Sequence, residues 1–389
     1  MGQVEQALAI AIQANVPGAL EGPPGTGKSK RVEAIGRALA KAGLFDANVG
    51  VDGTVTWIAS QNDPVDVGGV GIPERNAEGR VVNVARLPAS PELILAMRHG
   101  VLLFLDEISQ CDPTMQAPIM SAIQERRIGV NPFHEKTRIA FAYNPVELAA
   151  AGRLFAAPFA NRICFLKDQP DYDAWSQGMM FGWESAELGI SLLPKDWEDR
   201  IPEVNALAVG FLNAADGRKH WNDCPKADEV KASGPWPSSR SWTNAMRLYA
   251  AALASGAPKA VQMDLVGGCV GDAVVTKFFA YIEALDLPDP EVWLKDPDKV
   301  VVPDRGDRAY AAANGVVLAV KRQSTVARWT AAWKVLVRYL PAGKGDMAAR
   351  AAEGLFREDV KPAGAKKVPE MTQFFPMLDK AGFFKGVRI

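Results

Sequence analysis

Through the first 167 residues, short uninterrupted apolar runs alternate with stretches whose apolar residues recur every three or four positions. That alternation predicts strands joined by crossover helices, an α/β fold with a mainly parallel sheet. Four runs read as buried strands: Ala19-Leu20-Glu21, Val55-Thr56-Trp57-Ile58-Ala59, Val101-Leu102-Leu103-Phe104-Leu105 and Ile139-Ala140-Phe141-Ala142-Tyr143. Arg162-Ile163-Cys164-Phe165-Leu166 is a fifth. Runs this continuous suit strands covered by helices on both faces. Residues 64–88, rich in Gly and Val, read as a helix interrupted by a small hairpin, and a second short hairpin is expected at residues 127–133. Beyond residue 168 helical spacing takes over at 197–215, 241–254 and 261–285. The loop 217–237 between the first two is broken by Gly234-Pro235-Trp236-Pro237. A Pro- and Asp-rich linker, 287–304, introduces helical patterns near 308–321, 326–340 and 346–356.

The chain of 389 residues has room for two or three domains. The pattern divides it into an α/β core at 1–167, helices at 168–285 and a helical extension at 286–389 whose role the sequence does not reveal. With 44 Lys+Arg against 45 Asp+Glu, nothing draws the whole chain to nucleic acid or to acidic membranes. The four cysteines are far apart, with neither a C-x-x-C pair nor a disulfide framework. That usage suits a reducing cytoplasm. No basic segment followed by an apolar run opens the chain, and no stretch approaches the ~20 apolar residues of a membrane span. The expectation is a soluble, cytoplasmic protein without a membrane partner.

The sharpest chemical signal is Gly22-Pro23-Pro24-Gly25-Thr26-Gly27-Lys28-Ser29, which satisfies G-x-x-x-x-G-K-[ST] between a strand and a helical pattern at 30–42. In such a loop glycines let successive N–H groups face phosphates, and the helix start adds its positive dipole end. Lys28 reaches the terminal phosphates of ATP, and the Ser29 hydroxyl ligates Mg2+. Asp106 and Glu107 follow an apolar strand, where Asp106 would hold the metal and Glu107 would polarise an attacking water; an acidic first helical turn is the plainer alternative. Asn144 ends the next strand, positioned either to hold the water or γ-phosphate or to cap a turn before residues 146–148. The three histidines share no metal spacing, and Trp329 and Trp333, at i and i+4, read as a helix-packing face.

Together these residues resemble the AAA+ ATPases, and among them the MoxR-type branch. The resemblance rests on the GPPGTGKS loop, the LLFLDEIS strand end, the ERRIGV segment before a short hairpin, AYNP, PFANRICF and PSSRSWTNA. It spans roughly residues 1–285. The two hairpins match the inserts of that branch, and residues 168–285 match its helical lid. The resemblance implies that Asn144 is sensor 1, that Arg162 is the arginine finger reaching a neighbouring subunit's site, and that Arg240 is the sensor-2 arginine. The Asp that often precedes the finger is missing, so Arg153, Arg126 and Arg127 are rivals for contacts in trans. A surface ion pair is the plainer alternative for Arg162, and helix-start solvation with Ser239 as N-cap the plainer one for Arg240. The resemblance also implies ATP hydrolysis in a ring, a hexamer, that remodels or activates a protein client, often one with a von Willebrand factor A domain. A nucleic-acid motor would need basic hairpins, and Arg75, Arg80, Arg127 and Lys136 are offset by Glu74 and Glu78. A third reading is a nucleotide-dependent switch with slow turnover.

Overall fold

The computed structural model describes residues 2–63, 66–67, 69–87, 90–111, 113–128, 131–148, 155–170, 172–181, 189–214, 216–225, 233–285 and 287–380. It divides into two compact units, Met1–Glu198 with Asn222–Thr276, and Asp199–Trp221 with Lys277–Ile389.

The first unit is built on a five-stranded sheet. In chain order the strands are β1 (Gly18–Glu21), β2 (Thr54–Ile58), β3 (Val70–Arg75), β4 (Val81–Leu87), β5 (Leu102–Asp106), β6 (Arg127–Ile128), β7 (Asn131–Pro132), β8 (Arg138–Tyr143) and β9 (Cys164–Lys167). The sheet runs β2-β5-β8-β1-β9, with every pairing parallel. All five apolar runs become its strands. The last begins at Cys164, two residues later than the pattern suggested, and leaves Arg162 in the preceding turn.

Burial along β5 and β8 is continuous because both sheet faces are covered. Val55, Trp57, Leu103, Leu105, Phe141 and Phe165 pack with Leu93 and Ala96 of the helix Pro91–Arg98 and Met115 and Ile119 of the helix Pro113–Glu125. The helices Gln3–Gln13 and Lys28–Lys41 pack against strands of the same sheet. Phe104 and Phe141 are wholly buried, each stabilising the layer by roughly 2–3 kcal/mol.

The first insert forms the antiparallel hairpin β3–β4, with a register shift between Glu74 and Arg75. The second pairs β6 with β7, and its tip, residues 129–130, lies outside the described residues, as do residues 64, 65, 68 and 88 of the first insert. The helical run 261–285 is two helices, Lys259–Val270 and Asp272–Leu285, divided at Gly271 where φ is +92°.

The second unit is helical. Trp329 and Trp333 of the helix Val326–Val337 are fully buried with their rings edge to face at 5.7 Å, the packing face the spacing predicted. Trp329 Nε1 donates to the Leu355 carbonyl at 2.9 Å, and the Tyr339 hydroxyl donates to that of Ala309 at 3.0 Å. Among the described residues no helix is long and apolar enough to cross a membrane.

Candidate functional site

Strand register gathers the site. Glu21 of β1 lies beside Tyr143 of β8 and Lys167 of β9, and Ile58 of β2 beside Asp106 of β5. The residues just past these ends, Gly22, Ser60, Glu107, Asn144 and Asp168, therefore line the carboxyl edge of the sheet, where open parallel sheets bind ligands.

Gly22–Ser29 carries the chain from β1 into the helix Lys28–Lys41. Gly25 and Gly27 both have φ of +83°, and a Cβ at either would meet nothing within 4 Å. Backbone conformation, not crowding, requires glycine there. At Gly22 the reason is space, since a Cβ would lie 2.8 Å from the Asp168 carbonyl oxygen. Lys28 is 8% exposed. Its Nζ donates to the carbonyls of Gly22 and Pro23 at 2.8 Å each and to Asn144 Oδ1 at 2.9 Å. Burial holds this ammonium below its ordinary range; Asp168 and Asp106 oppose the shift, and Arg31 adds to it.

Ser29 Oγ donates to Asp106 Oδ2 at 2.7 Å, and Asp106 Oδ1 accepts from the Glu107 backbone N–H at 2.9 Å. A hydroxyl beside a carboxylate is a hard-oxygen pair that suits Mg2+, which binds proteins through few groups and keeps water and phosphate for the rest. Among the described residues no cluster of three or more His, Cys, Asp or Glu offers another metal site. Glu107 has φ 55° and ψ 31°, a left-handed conformation costing a side-chain-bearing residue roughly 1–2 kcal/mol. Strain of this kind persists where the surroundings enforce it, commonly at functional sites.

Two residues that sequence reasoning did not single out complete the edge. Ser60, just past β2, donates from Oγ to Glu107 Oε2 at 2.5 Å. Asp168, just past β9 and 3% exposed, accepts from Thr26 Oγ1 at 3.1 Å and from the Arg31 guanidinium, which also faces Glu5 at 3.5 Å. An acidic residue ending an apolar strand was the available signal for Asp168, the same one that marked Asp106. Nearby, burial raises the Glu21 carboxyl, with Lys167 and a hydrogen bond with Tyr143 opposing.

The arginines divide. Arg162 is held in its own chain by Gln124 Oε1, to which Nε donates at 2.9 Å, and by the Pro158 carbonyl. Burial lowers its pKa, and neighbouring Arg240 lowers it further. Arg240 is an exposed second residue of the helix Ser239–Ala254. The helix N-cap is Ser238, not Ser239, through a reciprocal pair with Ser241. Among the described residues no hydrogen bond or ion pair joins Arg162 or Arg240 to the glycine loop. Arg126 is committed within its chain to Asn15 and to the carbonyls of His134, Glu135 and Thr137. Arg127 pairs with Glu125 at 2.5 Å, and Arg153 lies outside the described residues.

No protein-family model matches the chain, and no curated protein does. Three solved structures align with the chain at low similarity. A candidate ATPase from Cytophaga hutchinsonii aligns over 71% of this chain and 88% of its own, at 14% identity and a TM-score of 0.45. A full-length MCM homolog from Methanopyrus kandleri aligns over 72% of this chain and 54% of its own, at 11% identity and a TM-score of 0.35. NtrX from Brucella abortus, in complex with ATP, aligns over 98% of this chain and 67% of its own, at 15% identity and a TM-score of 0.31. Likeness this distant leaves the geometry of the carboxyl edge as the ground for a functional reading.

Proposed function

We propose that this chain is an AAA+ type P-loop ATPase that binds ATP with Mg2+ at the carboxyl edge of its sheet and hydrolyses it. The observation that carries the reading is the convergence of two pairs from distant segments. Lys28 meets Asn144 across 116 positions, and Ser29 meets Asp106 across 77. A chance glycine turn has no reason to place its lysine and hydroxyl on an amide and a carboxylate at the ends of two other strands.

The loop's N–H groups and Lys28 bind the β- and γ-phosphates. In the described structure Lys28 Nζ donates to two loop carbonyls and Asn144, acceptors that phosphate oxygens would replace. Ser29 and Asp106 would hold Mg2+, which when bound neutralises charge developing on the phosphates. Glu107 orients the attacking water and accepts its proton, and the Asn144 amide steadies water or γ-phosphate. Arg240 reports on the γ-phosphate as sensor 2.

Arg162 is the arginine we assign to the neighbouring subunit's site, on the match of the PFANRICF segment to the family pattern. Supplying that charge in trans requires a ring, a hexamer in this reading. Its client is a protein, with a von Willebrand factor A domain as the specific expectation. The hairpin β3–β4 supports a protein client over nucleic acid, since Ile72, Val81, Val82 and Val84 are each at least half exposed. Exposed aliphatic side chains of this kind mark protein contacts. The test is capture with the Glu107→Gln form in ATP: a ring recovered with a protein partner is expected, whereas recovery of nucleic acid alone overturns the client assignment.

A further inference from the structure

At the opposite, amino edge of the sheet is a cavity of about 170 Å3. It is lined by Asn15 and neighbours ahead of β1, by Gln124 and Arg126 around the end of the helix Pro113–Glu125, and by Arg138 at the start of β8. Among the described residues no carboxylate lines it. β8 is six residues long, which sets this cavity roughly 20 Å from the glycine loop.

The charge here is uncompensated. Arg138 donates from Nη1 to the carbonyls of Glu135 and Thr137, while its buried Nε has no hydrogen-bond partner. Among the described residues Arg126 hydrogen-bonds Asn15 and the carbonyls of His134, Glu135 and Thr137. Arg247, the third guanidinium close enough to be felt, has its carboxylate in Glu198 at 2.6 Å. Neither Arg126 nor Arg138 makes an ion pair among the described residues. Burial, then Arg126 and Arg247, push Arg138 down to about 10, so at neutral pH it stays charged. A half-buried guanidinium that keeps its proton and leaves a buried Nε unsatisfied is a ready partner for an anion.

We propose that this cavity binds a small oxyanion, with inorganic phosphate as its type, held by Arg138 and Arg126 with the amides of Asn15 and Gln124 beside them. A volume several times the roughly 30 Å3 share of one water admits a tetrahedral ion, but lies below the roughly 300–1,000 Å3 of pockets that hold larger ligands. The volume therefore favours a small ion over a nucleotide. Gln124 also accepts from Arg162, so occupancy would be felt at the arginine assigned in trans; that link rests on the proposed ATPase reading, whereas binding itself does not.

The test uses the full chain carrying Lys28→Met, which removes phosphate binding at the glycine loop. Potassium phosphate is titrated against potassium chloride at matched ionic strength, with Tm and 31P line width as readouts. Saturable line broadening and a Tm rise of roughly 3–6 °C at phosphate tenfold above its Kd are expected. Both are lost on adding Arg138→Leu, each response being read against that variant's own melt in chloride. Arg138→Lys, retaining charge without Nε, binds more weakly. Equal responses with and without Arg138, or no response in either, overturn the proposal. So does an oligomer that dissociates on Arg138→Leu while phosphate has no effect, since the anion would then be a neighbouring chain's carboxylate.

Discussion

Replacing Asp168 by Ala tests whether the edge of β9 holds the glycine loop in shape. The carboxylate is 3% exposed and receives both the Arg31 guanidinium and the Thr26 hydroxyl. Removing one partner of a buried ion pair costs about 3–5 kcal/mol. Here the Arg31 side chain is 23% exposed and keeps Glu5 at 3.5 Å, so solvent screening and the second partner reduce the cost to about 2 kcal/mol. For a unit of this size that lowers Tm by roughly 4–8 °C. Thr26 also loses its tether, and nucleotide affinity should fall about tenfold, the equivalent of one charge-assisted hydrogen bond. Thermal melts and calorimetric titration with ADP measure the two effects separately. Asp168→Asn separates them chemically, because it keeps an acceptor for Thr26 but no charge for Arg31; it should recover affinity and not stability. An Asp168→Ala protein with Tm within about 1 °C of wild type and unchanged ADP affinity would refute the clamp.

Lys28→Met should abolish ATP binding yet melt no lower than wild type, since burial makes this charge a cost to the fold. The sign follows from linkage: folding lowers the pKa, so wild type gains stability as pH rises between the depressed value and 10.5. The variant's advantage is thus greatest at neutral pH and shrinks toward 10.5; a melt series in pH that shows the reverse contradicts the assignment. Ser60→Ala should raise kcat roughly twofold or more with KM unchanged, because a carboxylate relieved of a donated hydrogen bond is the stronger base; a fall in kcat would instead make Ser60 the group that holds Glu107 in working position. Gly27→Ala meets no steric obstacle but forces a side chain into φ of +83°, costing about 1–2 kcal/mol in urea unfolding.

The parts of this site that were legible in the sequence are those whose chemistry is local. Gly22–Ser29 encodes its own turn, and Asp106-Glu107 and Asn144 stand at ends of apolar runs long enough to be read as strands. Strand existence was legible for the same reason, because β5 and β8 are buried on both faces and carry no polar interruption. What escaped depends on strand order and register. Thr26 and Asp168 are separated by 142 positions and Ser60 and Glu107 by 47, and each pair meets only because its strands stop at one edge. Apolar periodicity ran unbroken through residue 271, yet the left-handed backbone at Gly271 ends one helix and begins another. Arg126 was legible as a positive charge beside a hairpin. Its bonds to the carbonyls of residues 134, 135 and 137 belong to the folded chain alone.

In the proposed function the carboxyl edge hydrolyses ATP through Glu107. The most direct measurement is phosphate release from ATP and Mg2+ by wild type and Glu107→Gln at matched oligomer concentration, alongside nucleotide binding by both. Retained ATP binding with turnover reduced about 10^2- to 10^3-fold in the variant is the predicted result. Wild type that binds ATP but releases phosphate no faster than Glu107→Gln contradicts the claim and leaves a nucleotide-dependent switch in its place.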